Sequence, residues 1–198
     1  MSDLAARWPL RGADAVCAEL LAAYADPARG YHDTRHLTEV LDRLDELGGA
    51  GAPFERLPVE LAAWFHDAVY DGRPDAEERS ARWAEEVLAA HEPRQVAEVT
   101  RLVRLTETHR PAADDPNGCA LSDADLAILA SSPERYTEYA ADVRQEYAHV
   151  SDEDFRAGRA AVLADLLHRP HLFHTAHART HWEPGARANV EAELARLT

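Results

Sequence analysis

Apolar residues return at helical spacing along nearly the whole chain. Val16, Leu20, Leu21 and Tyr24 predict a first helix, closed by Pro27 and Gly30. Leu37, Val40, Leu41, Leu44 and Leu47 predict a second, stopped by Gly48 and Gly49. Pro58 opens a third at its first turn, with Leu61, Trp64, Phe65 and Ala68 on one face. A fourth runs from Glu77 to Ala90 through Ala81, Ala84, Val87 and Leu88; Val96, Val99, Leu102, Val103 and Thr106 mark a fifth. Pro111 to Gly118 reads as a loop. Leu121, Ile128 and Leu129 then start a shorter helix, interrupted at Pro133, before a stripe of Tyr136, Tyr139, Ala140, Val143, Tyr147 and Val150. Ser151 is placed to cap the helix carrying Phe155, Val162, Leu163, Leu166 and Leu167. A connection rich in proline and histidine leads to a last helix with Val190, Leu194 and Leu197. No window alternates with period two. The pattern predicts one all-α domain over residues 1–198, a bundle of roughly eight or nine helices.

Composition supports helix, since alanine and leucine dominate and β-branched residues are sparse. Charge narrows the chemistry further. The chain has 36 acidic and 21 basic residues, a net −15, and every basic residue is arginine. Without lysine there is neither a P-loop lysine for nucleotide phosphates nor a Schiff-base nucleophile. The acidic balance argues against a nucleic-acid scaffold. Cys17 and Cys119 lie far apart and form no CxxC pair, which reads as two reduced thiols. No apolar run reaches membrane-spanning length and the N-terminus shows no signal-peptide core, so the expectation is a cytoplasmic protein without membrane partners; a homo-oligomer is left open.

Most helices keep their polar residues off the apolar stripe, and the exceptions locate the chemistry, because a buried charge needs a partner or a metal. Asp125 falls four residues after Leu121 and three before Ile128, inside the apolar face; Asp123 projects toward Leu126 and Ala130 instead. Arg159 lies on the stripe between Phe155 and Val162. His66 and Asp67 follow directly on Trp64 and Phe65. His36 opens the helix bearing Leu37, with His32 one turn before it. Imidazole and carboxylate together suit a borderline or hard divalent cation with positions left for water.

The set of His36, the doublet His66-Asp67 and a later aspartate in Ala124-Asp125-Leu126 resembles the HD superfamily of metal-dependent phosphohydrolases. The stretches YHDTRH (31–36), WFHDAVYD (64–71), EERSA (77–81), TETH (106–109), LSDADLAIL (121–129), YTEYAADVRQEY (136–147) and EPGARAN (183–189) are similar, in order, to one uncharacterised branch of that superfamily. They span a motif core of about residues 31–189. Ala76 and Asp33 stand where that branch usually has asparagines.

The resemblance implies an HD-type helical bundle and a hydrolase of a small phosphorylated compound or nucleotide, acting through a metal-activated water. His36, His66, Asp67 and Asp125 would hold the divalent ion, with Mn, Mg, Zn, Fe, Co and Ni not distinguished; helical phase favours Asp125 over Asp123, which is left to a supporting hydrogen bond or as the alternative ligand. Asp71, one turn after the doublet, is the expected base or orienting group, and His32, sharing a helix face with His36 near the metal, is the second catalytic candidate, in contact with substrate or else a hydrogen-bonding group at the helix start. Arg144 and Arg159 are the expected anion-binding groups, and His109 and Glu78 further pocket residues. Glu77 is expected on the solvated face. His168, His171, His174, His177 and His181 are expected at the surface. Some HD proteins carry a di-iron centre with extra histidines between doublet and final aspartate. His91 and His109 lie in that interval, so an oxygenase is one alternative; a non-catalytic, metal-containing regulatory module is another.

Overall fold

Capping chemistry sets the helix boundaries more closely than the apolar pattern does. The computed structural model describes residues 4–197. A 3-10 turn at Leu4–Arg7 precedes α1 (Asp14–Tyr24), α2 (Thr34–Gly49), α3 (Arg56–Phe65), α4 (Ala76–His91), α5 (Val96–Leu105) and α6 (Pro116–Leu126). A second 3-10 turn, Ala127–Ala130, leads into α7 (Pro133–Glu146), α8 (Asp152–His168), α9 (Ala176–His181) and α10 (Glu183–Leu197). No strand occurs among the described residues, and the chain is all-α as the periodicity predicts. No helix among them is long and apolar enough to cross a membrane.

Several boundaries differ from the sequence pattern, each for a local reason. The segment 111–118 is only partly loop, because Asp115 caps α6 by accepting from the Gly118 N–H at 2.9 Å, and Pro116 fits the first turn. Gly118 belongs in that turn: a Cβ there would run into the Asp115 carboxylate and Leu105. Pro133 opens α7 rather than interrupting a helix, with the Ser132 hydroxyl accepting from the Arg135 N–H at 3.3 Å. Gly48 and Gly49 fall in the last turn of α2. α3 ends at Phe65, which leaves His66, Asp67 and Ala68 in a turn beyond it. α7 ends at Glu146, so Tyr147 and Val150 leave its stripe for the loop. The short α9 sits within the proline- and histidine-rich connection, capped by Thr175.

α2, α3 and α6 pack on one another, and α3 also packs on α5. Their shared core includes Leu37, Leu44, Leu61, Trp64, Phe65, Leu102 and Leu121, all fully or almost fully buried. Each such leucine contributes about 1.5–3 kcal/mol relative to exposure. Trp8 meets Trp64 edge to face at 5.2 Å, fixing the end of α3 two residues before His66. α10 packs on α8, on α9 and on the second 3-10 turn. Cys17 and Cys119 are both buried and form no disulfide.

Candidate metal centre

His36 enters the site from the first turn of α2. Asp33 caps that helix, accepting from the backbone N–H groups of Arg35 at 2.8 Å and His36 at 3.1 Å. Asp33 is thus the side-chain N-cap of α2. His66 sits at the C-terminal end of α3, its N–H bonded to the Ala62 carbonyl at 2.9 Å. Its Nδ1 lies 2.8 Å from the Ala63 carbonyl, which can only accept. Nδ1 therefore carries a proton, and Nε2 is the ring nitrogen that faces the site. Asp67 follows, and Asp125 comes from the last turn of α6.

These four side chains converge. His36 Nε2 and His66 Nε2 are 3.0 Å apart. Asp67 Oδ2 lies 3.3 Å from His36 Nε2 and 3.1 Å from His66 Nε2. Asp125 Oδ1 lies 3.2 Å from the first and 3.5 Å from the second. The two imidazoles are buried, whereas the carboxylates face a cavity of about 560 Å³. Burial opposes charge on His36 and His66, but the neighbouring carboxylates outweigh it and hold both imidazoles above their ordinary range. Conversely, burial disfavours ionised Asp67 and Asp125, yet the facing histidines hold both carboxyls well below theirs. Two imidazole nitrogens and the Asp67 carboxylate are a donor set that fits a divalent cation, and Asp125 Oδ1 faces the same two nitrogens. His36, His66 and Asp67 alone already form a group able to hold a metal ion.

Asp123, two residues from Asp125, is fully buried and turned elsewhere. Its oxygens accept from the backbone N–H groups of His174 and Thr175, each at 2.7 Å, tying α6 to the segment before α9. Burial lifts its carboxyl to about 6 against those two amide donors.

His32 lines the cavity and stacks on Tyr70 with ring centroids 4.0 Å apart. Its Nδ1 lies 2.8 Å from Glu146 Oε2. Glu146 Oε1 accepts from the backbone N–H groups of Gly30, Tyr31 and His32 at 2.9–3.0 Å, clamping the entry to α2 onto α7. This approach requires Gly30, since a Cβ there would run into the Asp142 carbonyl. Arg29 closes the other side, donating to the carbonyls of His32, Asp67 and Ala68 at 2.8–3.1 Å. His109 adopts a left-handed backbone (φ 50°) that places its Nε2 3.5 Å from Asp125 Oδ2. Burial lowers its pKa. Tyr31, beside His36 and lining the cavity, is buried with a hydroxyl that lacks a partner among the described residues.

Other expected site residues lie elsewhere. Asp71 does not line the cavity: Arg79 donates to its two oxygens at 2.6 and 2.8 Å, and the Arg73 N–H adds a third bond. Those bonds hold its carboxyl well below the usual range. Glu78 points outward and pairs with Arg104 and Arg82, whereas its neighbour Glu77 lines the cavity, the reverse of the sequence expectation. Arg144 stitches the α7–α8 connection, donating to the carbonyls of Tyr147 and Val150 and to Asp152. Arg159 does line the cavity, but all three of its nitrogens are engaged, by Glu193 and by the Tyr139 hydroxyl. Among the C-terminal histidines, His168, His171 and His181 are exposed as expected, while His174 and His177 are half-buried, the latter pairing with Glu46 at 2.8 Å.

The chain matches no family model, no curated protein and no solved structure. What the site can do follows from its own geometry. Arg29, Tyr31, Glu77 and Glu146 were not singled out as site residues from the pattern. Glu146 left a trace there, being a carboxylate one turn after Val143 on a buried stripe.

Proposed function

We propose that the protein is a metal-dependent phosphohydrolase acting on a small phosphorylated compound. The observation that carries this reading is the meeting of Asp125 from α6 with His36, His66 and Asp67 at the wall of a cavity large enough for a small molecule. His36, His66, Asp67 and Asp125 would hold the cation, in keeping with the resemblance to the HD superfamily. When bound, a divalent ion supplies Lewis acidity toward a phosphoryl oxygen and the attacking water, worth several kcal/mol.

The chain's own residues supply positioning and proton transfer. Glu146 accepts from His32 Nδ1, so His32 Nε2 is the basic atom, able to take a proton from a water in the cavity. Stacking on Tyr70 and the Glu146 clamp hold that ring in one orientation. His32 therefore takes the base role, and Asp71, committed to Arg79, does not. The oxygenase alternative draws less support: His109 borders the cavity, but His91 is exposed at the end of α4.

Metal quantification followed by a screen of phosphomonoesters, nucleotides and cyclic diesters tests the proposal. Bound divalent metal and turnover are expected, with Asp67→Ala losing more than about 100-fold of the activity. Protein that binds the metal and cleaves nothing in the panel would contradict it.

A further inference from the structure

The cavity beside the metal centre is built of two unlike parts. At the cation end stand Asp67, Asp125, His32 and His109. The remainder is mostly apolar: Leu126, Ile128, Val143, Val150, Phe155 and Val162 line it together with tyrosine rings. Val162 and Tyr147 belong to the apolar stripes of the sequence, where a core position is expected. Yet they are the large hydrophobic side chains left exposed among the described residues, at 54% and 42%, and both line this cavity. Two independently placed stripes, on α8 and after α7, thus spend apolar surface on the cavity rather than on the core.

The charges point the same way. Besides the two carboxylates at the cation end, Glu77 and Asp154 border the cavity. Arg159 is its arginine, and Glu193 and Tyr139 already occupy that guanidinium. The chain has no lysine to add. A substrate with a second or third phosphate would lay those charges against carboxylates and hydrocarbon, with no arginine other than the engaged Arg159 among the described residues lining the cavity.

We infer that the site takes an amphiphilic phosphomonoester, with a single phosphate at the cation end and an alkyl or aryl body in the apolar part. This rests on the metal-dependent phosphohydrolase reading and narrows it away from nucleoside polyphosphates. The body is recognised by burial alone, so affinity grows with its hydrocarbon surface.

Calorimetric titration of the Mn²⁺-loaded full chain with methyl-, butyl- and octylphosphonate, 1-octanol and ADP tests this without turnover. Affinity is expected to tighten about tenfold for every two methylenes added, until the body outgrows the cavity. ADP is expected to bind more weakly than octylphosphonate, and Val162→Asp, at the exposed rim, should flatten the chain-length dependence. Equal affinity for methyl- and octylphosphonate, or tighter binding of ADP, overturns the inference while leaving the phosphohydrolase reading standing. Equal binding of 1-octanol and octylphosphonate, unaffected by stripping the metal, supports the apolar body but overturns the phosphate and the reading beneath it.

Discussion

Two buried charge clusters face the same cavity, and they are constructed on opposite principles. In one, Arg159 meets Glu193 through paired hydrogen bonds at 2.9 and 3.0 Å, while Tyr139 accepts from the third guanidinium nitrogen and Tyr136 donates to Glu193. That cluster satisfies itself. In the other, His36 and His66 turn ring nitrogens toward each other and toward Asp67 and Asp125, and the carboxylates remain open to the cavity. A closed cluster holds helices together; an open cluster of converging nitrogens and oxygens is a group able to hold a metal ion. Both contain an inward-pointing charge visible on an apolar stripe, Arg159 and Asp125. The difference between scaffold and site lies in what each charge meets.

The largest expected effect falls on the closed cluster. Glu193→Ala leaves Arg159 buried without its anion and should cost about 3–5 kcal/mol in urea unfolding. A loss below about 1 kcal/mol would mean that Arg159 is free to rearrange, and the contrast between the clusters would collapse.

A smaller effect is expected from acid. Burial pushes the Glu193 carboxyl upward, but the hydrogen bonds and charge of Arg159 outweigh it and hold it below the ordinary value of 4.5. A depressed carboxylate contributes stability that is fully present above its unfolded pKa and is lost as pH falls through the folded one. Stability should therefore fall as pH drops below about 4.5, and Glu193→Gln should make that limb shallower. An unchanged acid limb in the variant would show that the pair carries no such linkage.

The smallest effect concerns Asp71. Its exposed ion pair with Arg79 predicts that Asp71→Asn changes neither melting temperature nor turnover appreciably. A large loss of turnover at unchanged KM would restore Asp71 as the base and remove His32 from that role.

Much of this arrangement is legible in the amino-acid sequence. Helical phase separates Asp125 from Asp123, and the structure turns the two carboxylates to different partners. The all-α architecture follows from periodicity, because amphipathic stripes report burial directly. Non-local satisfaction is not visible. Arg159 reads equally well as an anion-binding group until Glu193, 34 residues away, is found beside it. Glu146 reaches His32 across 114 residues, a pairing no local pattern encodes. Glu77 and Glu78 differ by one residue, and only the packing of α4 decides which faces the cavity. The exposed Val162 shows the converse, an apolar stripe directed to a cavity and not to a core.

The central claim is that the open cluster is a cation site with Asp125, and not Asp123, among its ligands. Calorimetric titration of the metal-stripped chain with Mn²⁺ tests it most directly, comparing the parent with Asp125→Asn and Asp123→Asn. A saturable equivalent in the parent and in Asp123→Asn, lost in Asp125→Asn, is the predicted result. Binding that survives Asp125→Asn but is lost with Asp123→Asn, or no binding by the parent, would contradict it.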